Sequence, residues 1–349
     1  METLDYEETT EDFKRQIFDL NTMLEIGKTI LSNLSLKDVL DIVLLTCGGH
    51  FHSSDTIILL ADGHEEQSRF IWAGDKERIV IGSNDPFIRY VRENQGVKRL
   101  DELKGDPALK KTCKLLARSQ IDLIVPLEFK GSINGILCLK KKQEEFGETY
   151  TKEEMKYADV IAGFASVAIE NAKLYEMATL DMKTRMYNHG FFKNRLIEEI
   201  SRAERYKTDL ILMMLDLDYF KKVNDTHGHM TGDLVLVRVA DCIKQHVRLY
   251  DVAARFGGEE FSVILPETSL KDSQTVAERL RKSVEALEFS SPNGSFHVSV
   301  SIGAAEFVHS VSMTEDVLIE RADRALYHAK SSGRNRVATH QEMAEKACV

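Results

Sequence analysis

A chain of 349 residues with a formal net charge of −10, 43% hydrophobic and 29% charged, has the make-up of a globular protein of two ordinary domains, each long enough to bury its own core. Its acidity, without a basic tail, excludes nucleic acid and anionic membrane as the main partner. The apolar run 210–215 falls far short of the ~20 residues that span a membrane, and the acidic N-terminus is unlike a secretory leader, so a cytoplasmic location is expected. The cysteines Cys47, Cys113, Cys138, Cys242 and Cys348 are odd in number, scattered and free of C-x-x-C spacing, which predicts idle or buried thiols rather than disulfides or zinc.

From Phe13, the positions Phe13, Ile17, Leu20, Leu24, Gly27, Leu31 and Leu34 step 4-3-4-3, a coiled-coil seam on an N-terminal helix within 1–35. Such a seam either pairs two copies or packs on its own domain, and sustained heptads favour pairing. Ser35 with Asp38 reads as a capping box opening a helix to about Phe51. Strands are predicted at 55–61 and 68–73 around Asp62-Gly63, and at 121–129 and 133–139 around Lys130-Gly131-Ser132, with helices at 86–95 and 107–118. This is an α+β domain with a meandering antiparallel sheet. Thr151 and Glu154 form a second capping box. The helix they open carries Ala158, Ile161, Ala165, Ala168, Ala172 and Tyr175 at 3-4 spacing, a face for the preceding sheet or for a second copy. Running towards the next domain, it is the natural lever for a signal. From Asp181 the pattern becomes helices at 190–206, 230–247, 269–287 and 314–331 and strands at 209–216, 252–256, 261–265, 297–304 and 335–339, a ferredoxin-like βαββαβ layout.

The chemistry gathers in this second half. Arg255-Phe256-Gly257-Gly258-Glu259-Glu260-Phe261 reads as a hairpin tip in which glycine permits positive φ and leaves room for an anion. Its carboxylates are either a solvated acidic turn or hard oxygen ligands for Mg²⁺ on substrate phosphates. The buried strand 209–216 ends in Asp216-Leu217-Asp218, and carboxylates there are costly unless paired, for which a metal ion is one solution. Next come Tyr219-Phe220-Lys221-Lys222-Val223-Asn224-Asp225, His227-Gly228-His229 and Gly232-Asp233. The lysines suit a triphosphate or a solvated face; Asn224 and Asp233 suit a base edge, or Asp233 a helix cap. His227 and His229 lack further ligands, which favours positioning of the loop over metal binding. Arg248-Leu249-Tyr250-Asp251 is an R-x-x-D, by itself a surface i,i+3 pair.

Two resemblances organise these residues. The segment Val125 to Leu137, with Ala168-Ile169-Glu170-Asn171-Ala172-Lys173-Leu174-Tyr175, resembles a GAF domain over 36–172. The resemblance implies a sensor of small ligands, a cyclic nucleotide by analogy, or a dimerising module. The set Asp216…Lys221…Asn224…Asp233…Gly257-Gly258-Glu259-Glu260-Phe261…Lys330…Gly333-Arg334-Asn335 resembles the GGDEF family of diguanylate cyclases. That implies a ferredoxin-like, palm-type domain over 181–340, joined to the sensor by a coiled-coil-forming helix at 150–180 and followed by a tail at 341–349. By the same resemblance Asp216, the Leu217 carbonyl, Glu259 and Glu260 hold Mg²⁺, two ions per half-site with Mn²⁺ able to substitute. Glu259 also serves as proton acceptor. Tyr219, Phe220 and Lys221 cradle the phosphates of GTP with Gly257 and Gly258, Lys221, Lys330 and Arg334 neutralise charge, and Asn224 and Asp233 bind guanine. The product implied is cyclic di-GMP, made by a homodimer, and Arg248, Asp251 and Arg279 resemble the family's inhibitory product site. The family's entrance motif D-x-L-T-G-L-x-N-R appears as Asp181-Met182-Lys183-Thr184-Arg185-Met186-Tyr187-Asn188-His189, with lysine for leucine, arginine for glycine and histidine for arginine. Rival readings are a degenerate cyclase that only binds GTP or cyclic di-GMP, and a purine cyclase acting within one nucleotide. No acidic ligand is lost, which disfavours the first; Asn224, Asp233 and the intact hairpin disfavour the second.

Overall fold

The apolar periodicities translate into two sheet-centred units, residues Met1–Glu176 and Met177–Val349. The computed structural model describes residues 17, 20–62, 69–72, 79–309 and 313–341. Helix α1 covers 20–31, and α2 (Leu36–His50) opens where the Ser35 side chain accepts from Asp38 N–H. Among the described residues of the predicted seam, Gly27 faces inward, a Cβ there meeting the Phe164 ring at 2.9 Å, whereas Ile17, Leu20, Leu24, Leu31 and Leu34 stay exposed; the buried side of α1 is instead that of Met23 and Ile30, which the seam did not include. Phe13 lies outside the described residues.

The first unit continues with β1 (Thr56–Asp62), β2 (Arg69–Trp72), β3 (Val80–Gly82), α3 (Pro86–Glu93), β4 (Lys98–Arg99), α4 (Leu100–Leu103), α5 (Lys110–Arg118), β5 (Ile121–Phe129), β6 (Ser132–Lys140) and α6 (Lys152–Thr179). Its strands form one antiparallel sheet in the order β3-β2-β1-β6-β5-β4. The β5–β6 hairpin turns at Lys130-Gly131, both at positive φ (51° and 80°), the geometry a two-residue hairpin loop requires. The second capping box forms in full: Thr151 Oγ1 accepts from Glu154 N–H and Glu154 Oε2 from Thr151 N–H. Of the two possible partners of the α6 alanine face, the unit's own core takes it, since Ala158, Ile161, Ala165, Ala168 and Ala172 are buried there. Val160, Val167 and Leu174, seven residues apart, remain exposed. Cys47, Cys113, Cys138 and Cys242 are free, buried thiols; Cys348 lies outside the described residues.

The second unit comprises α7 (His189–Tyr206), β7 (Leu210–Leu217), α8 (Phe220–His227), α9 (His229–His246), β8 (Val252–Arg255), β9 (Glu260–Pro266), α10 (Leu270–Glu285), β10 (Glu288–Ser291), β11 (Gly294–His297), β12 (Val300–Glu306), α11 (Glu315–Ser331) and β13 (Val337–Thr339). The main sheet runs β13-β12-β7-β9-β8, antiparallel except for the added β13. Every residue of β7 is buried, because cores cover both faces of the sheet, and this explains its unbroken apolar run. Gly303 lets β12 approach α11: a Cβ there would lie 2.1 Å from Leu326 N and 2.3 Å from Ala322 O. The pattern gave no warning of β3, β4, α4, α8 or the β10–β11 hairpin. Among the described residues no helix is long and apolar enough to cross a membrane.

Candidate active site

The end of β7 is where the second unit brings distant polar residues together. In the β7–β9 register Asp216 faces Glu260, and Leu217 N–H donates to the Glu259 carbonyl at 3.3 Å. Lys330, the penultimate residue of α11, places Nζ 2.7 Å from Asp216 Oδ2. Burial pushes the Asp216 carboxyl up from its ordinary range against the opposing pull of Lys330. Burial also raises Glu259, helped by the charges of Asp216 and Glu260. At both carboxyls the ionised form is held at a cost that the Lys330 ammonium offsets only in part.

The hairpin tip differs from the expected turn. Neither Gly257 nor Gly258 takes positive φ. Gly257 instead leaves room for the Glu260 carboxylate, since a Cβ would stand 2.6 Å from Glu260 Oε2 and push that side chain aside. The tip is clamped by Arg255, whose Nε and Nη2 donate to the carbonyls of Gly257 and Gly258 at 2.7–3.2 Å while Nη1 grips Asp181 at 3.0 and 3.1 Å. Asp181 in turn accepts from Thr184 N–H and Oγ1. The turn at 181–184 and the hairpin tip are thus one hydrogen-bonded assembly.

Asp218, two residues beyond Asp216, is a different kind of carboxylate. It accepts from Ser299 Oγ and Ser301 Oγ at 2.7 Å and from Asn335 N–H at 2.9 Å, so its burial is fully compensated. It ties β7 to the turn that carries Arg334. The Arg334 guanidinium lies 4.5 Å above the Tyr219 ring, with Nη1 3.3 Å from its hydroxyl. Tyr219, Arg334 and Asn335 all adopt left-handed φ (57°, 62° and 46°), backbone strain of the sort that clusters at functional sites. Lys221 is exposed at the start of α8.

Asn224 and Asp233 are brought to the junction of α8 and α9, where Asn224 Oδ1 sits 1.9 Å from the position of a Cβ on Gly232. Asp233 is already engaged, ion-paired with Lys183. His227 positions its loop: Nδ1 is 2.8 Å from Ser291 Oγ and the ring stacks on Phe296. Arg248, Asp251 and Arg279 line one cavity of about 510 Å³. There Asp251 accepts from the backbone N–H of Arg248, not its guanidinium, and Arg279 donates to the His246 carbonyl.

Among the described residues no three His, Cys, Asp or Glu side chains converge as metal ligands; Lys330 occupies Asp216 and Glu260 folds back over Gly257. The donor set nevertheless fits a hard divalent cation, being carboxylate oxygens whose desolvation and mutual repulsion a cation would relieve. In the sequence Asp218, Arg255 and Asp181 stand only as parts of motifs. Their roles depend on partners far along the chain.

A family model described as "Diguanylate cyclase, GGDEF domain" matches residues 178–336. Diguanylate cyclase A of Treponema denticola is 32% identical over 345 residues, covering 96% of this chain and 92% of that protein. The chain belongs to the GGDEF diguanylate cyclase family. It is accordingly an enzyme, a nucleotidyltransferase that uses GTP. The response regulator PleD of Caulobacter vibrioides is 29% identical over 304 residues, 80% of this chain and 65% of PleD. The crystal structure of the coiled coil and GGDEF domain of DgcB from Caulobacter crescentus, in complex with c-di-GMP, is 32% identical and covers 54% of this chain and 100% of that one, with a TM-score of 0.49.

Proposed function

We propose that this cyclase condenses two GTP molecules into cyclic di-GMP with release of two pyrophosphates. The register of β7 and β9 carries the reading, because it sets Asp216 beside Glu260 with Lys330 at 2.7 Å. In each half-reaction the 3′-oxygen of one GTP bonds to the α-phosphorus of the other, the α–β phosphoanhydride bond breaks, and pyrophosphate leaves. Glu259, raised by burial and by Asp216 and Glu260, accepts the 3′-hydroxyl proton. The backbone of Tyr219 to Lys221, with Gly257 and Gly258, cradles the phosphates, while Lys221, Lys330 and Arg334 offset their charge. Asn224 and Asp233 read the guanine edge. Asp216, the Leu217 carbonyl, Glu259 and Glu260 would hold Mg²⁺, two ions per half-site or Mn²⁺ instead, whose chemistry is activation of the attacking oxygen and stabilisation of the leaving group.

One cyclase domain presents one GTP, so two copies must face each other. The exposed Leu20, Leu24 and Leu31 of α1 and Val160, Val167 and Leu174 of α6 favour a homodimer joined along these helices. The antiparallel sheet of the first unit supports a GAF-type sensor over 36–172 that acts through the helix at 150–180 on the cyclase at 181–340. A cavity of about 430 Å³ lined by Asp85, Lys111, Lys114 and Arg118 suits the phosphate of a cyclic nucleotide. The cavity at Arg248, Asp251 and Arg279 favours feedback inhibition by the product. GTP as substrate is in keeping with the cytoplasm.

The decisive test is incubation with GTP and Mg²⁺ and analysis of the product by mass, beside Glu260→Ala. Absence of a linked dinucleotide from the wild-type dimer overturns the reading. Light scattering that gives wild type and Leu24→Glu the same mass removes the helix-joined dimer. Unchanged inhibition by cyclic di-GMP in Arg248→Ala removes the product site, and a thermal-shift screen without response to any cyclic nucleotide removes that ligand class.

A further inference from the structure

Lys183 stands where the family's entrance motif carries leucine, and its ammonium is ion-paired with Asp233 Oδ1. The pair is half exposed, 40% and 49% for the two side chains, and such pairs add little to stability. The turn that presents Lys183 is fixed on both sides of the residue. Thr184 is buried and donates twice to Asp181, and Lys244, on the same helix as Asp233, donates to the Thr184 carbonyl at 3.2 Å.

We infer that Lys183 is a specificity-determining residue that donates a hydrogen bond to the 6-oxygen of guanine while Asp233 accepts from the base. This rests on the proposed role of Asp233 as a guanine reader. Guanine presents on one edge an acceptor, the 6-oxygen, followed by two donors, N1–H and the 2-amino group. A carboxylate is acceptor-only and matches the two donors; it offers nothing to the 6-oxygen. An ammonium has three donors and no acceptor. One of them holds Asp233 Oδ1, which leaves two free beside the point where N1 and the 6-oxygen would lie. Adenine places a 6-amino donor there, which the ammonium repels, whereas leucine at this position neither attracts the oxo group nor repels the amino group.

The test is steady-state kinetics of full-length wild type, Lys183→Met and Lys183→Arg with GTP and with 6-thio-GTP, whose sulfur is a weak acceptor. Lys183→Met is expected to raise KM for GTP about tenfold and to change KM for 6-thio-GTP by less than about twofold, so that the preference for GTP collapses. Lys183→Arg, which keeps a charged donor, retains most of the preference. Equal loss on both nucleotides in Lys183→Met overturns the inference and makes Lys183 a prop for Asp233. A lower KM for GTP overturns it in the other direction, making the ion pair a latch that competes with the base. In both cases wild type still makes cyclic di-GMP; a wild type that makes no dinucleotide from GTP instead brings down the proposed function and this inference together.

Discussion

The buried thiols and phenol of the first unit and the buried carboxylates of the second are shifted for different reasons. In the first, Cys47 and Cys138 are pushed up to about 12 by burial alone, and Tyr150 reaches about 12 chiefly through burial while its hydroxyl donates to the Lys140 carbonyl at 2.5 Å. These groups are scattered through cores, and only Tyr150 feels nearby carboxylates, Asp122 and Glu154, as a lesser contribution. In the second, the raised carboxylates Asp216 and Glu259 share one sheet edge; after burial, Lys330 opposes the rise of Asp216 and Asp218 adds to it, while Asp216 and Glu260 add to that of Glu259. Burial alone marks a core. Burial joined to mutual repulsion at a strand end marks a place built to receive positive charge.

Asp216→Asn tests this contrast most strongly. Turnover of GTP is expected to fall by about 10²–10³-fold, the usual scale for losing one electrostatic contact to the reacting groups. Thermal stability should hold or rise, because the substitution removes a desolvated charge. Cys138→Ser should do the reverse, lowering stability by about 1–3 kcal/mol through a buried hydroxyl without a partner while the kcat of the cyclase stays unchanged. An Asp216→Asn protein that unfolds early yet keeps its turnover would erase the distinction between the two regions.

Glycines sharpen the same contrast within the second unit. Gly303→Ala drives a Cβ onto backbone atoms of α11 at 2.1 and 2.3 Å, which cannot yield separately from the helix. A stability loss of about 1–3 kcal/mol is expected in urea unfolding. At Gly232 the obstacle is the Asn224 side chain, Oδ1 at 1.9 Å, which can swing away. Gly232→Ala should leave stability within about 1 kcal/mol of wild type and instead raise KM for GTP about tenfold, the worth of a lost hydrogen bond to the base. Equal stability losses at both positions with an unaltered KM would show that Asn224 packs rather than reads.

Legibility in the sequence followed the range of each interaction. Capping at Ser35 and Thr151 and the turn at Lys130-Gly131 are settled within a few residues, and β7 declares itself by an apolar run. By contrast α8 begins at Tyr219 in a left-handed conformation and carries Lys, Asn and Asp without an apolar stripe, so nothing local announces a helix. Asp216 in β7 and Asp218 just past the end of that strand look alike in sequence. What separates them is Ser299, Ser301 and Asn335 around one and Lys330 beside the other, partners 81 to 117 residues from Asp218 and on α11 for Asp216. The spacing of the family motif disclosed which residues share a site. It did not disclose that Gly257 serves clearance rather than turn geometry, or that Lys183 already holds Asp233.

The smallest effect concerns the sign of a titration. Burial raises Glu154, but hydrogen bonds from Lys142 and from Thr151 N–H and Oγ1 outweigh it, and the net pKa lies below the ordinary 4.5. A folded-state value below the unfolded one means that the ionised carboxylate favours the fold. Its contribution is present above about pH 4.5 and is lost as pH falls through the folded value. Asp216 has the opposite sign, its contribution being complete below its ordinary 3.8 and lost as pH rises through its raised folded value. Glu154→Gln keeps the hydrogen-bonding shape of the capping box and removes the charge beside Lys142, whose side chain is only 6% exposed and 2.6 Å away. The substitution should cost the first unit about 1 kcal/mol near neutral pH, read as the difference in urea midpoint from wild type. That difference should narrow as pH falls from about 7 through the ordinary 4.5 and then through the lower folded value, because wild type then protonates Glu154 as well. A gap that stays constant across the range would mean that the capping geometry, not the charge, does the stabilising, and that this carboxylate is as passive as the buried thiols around it.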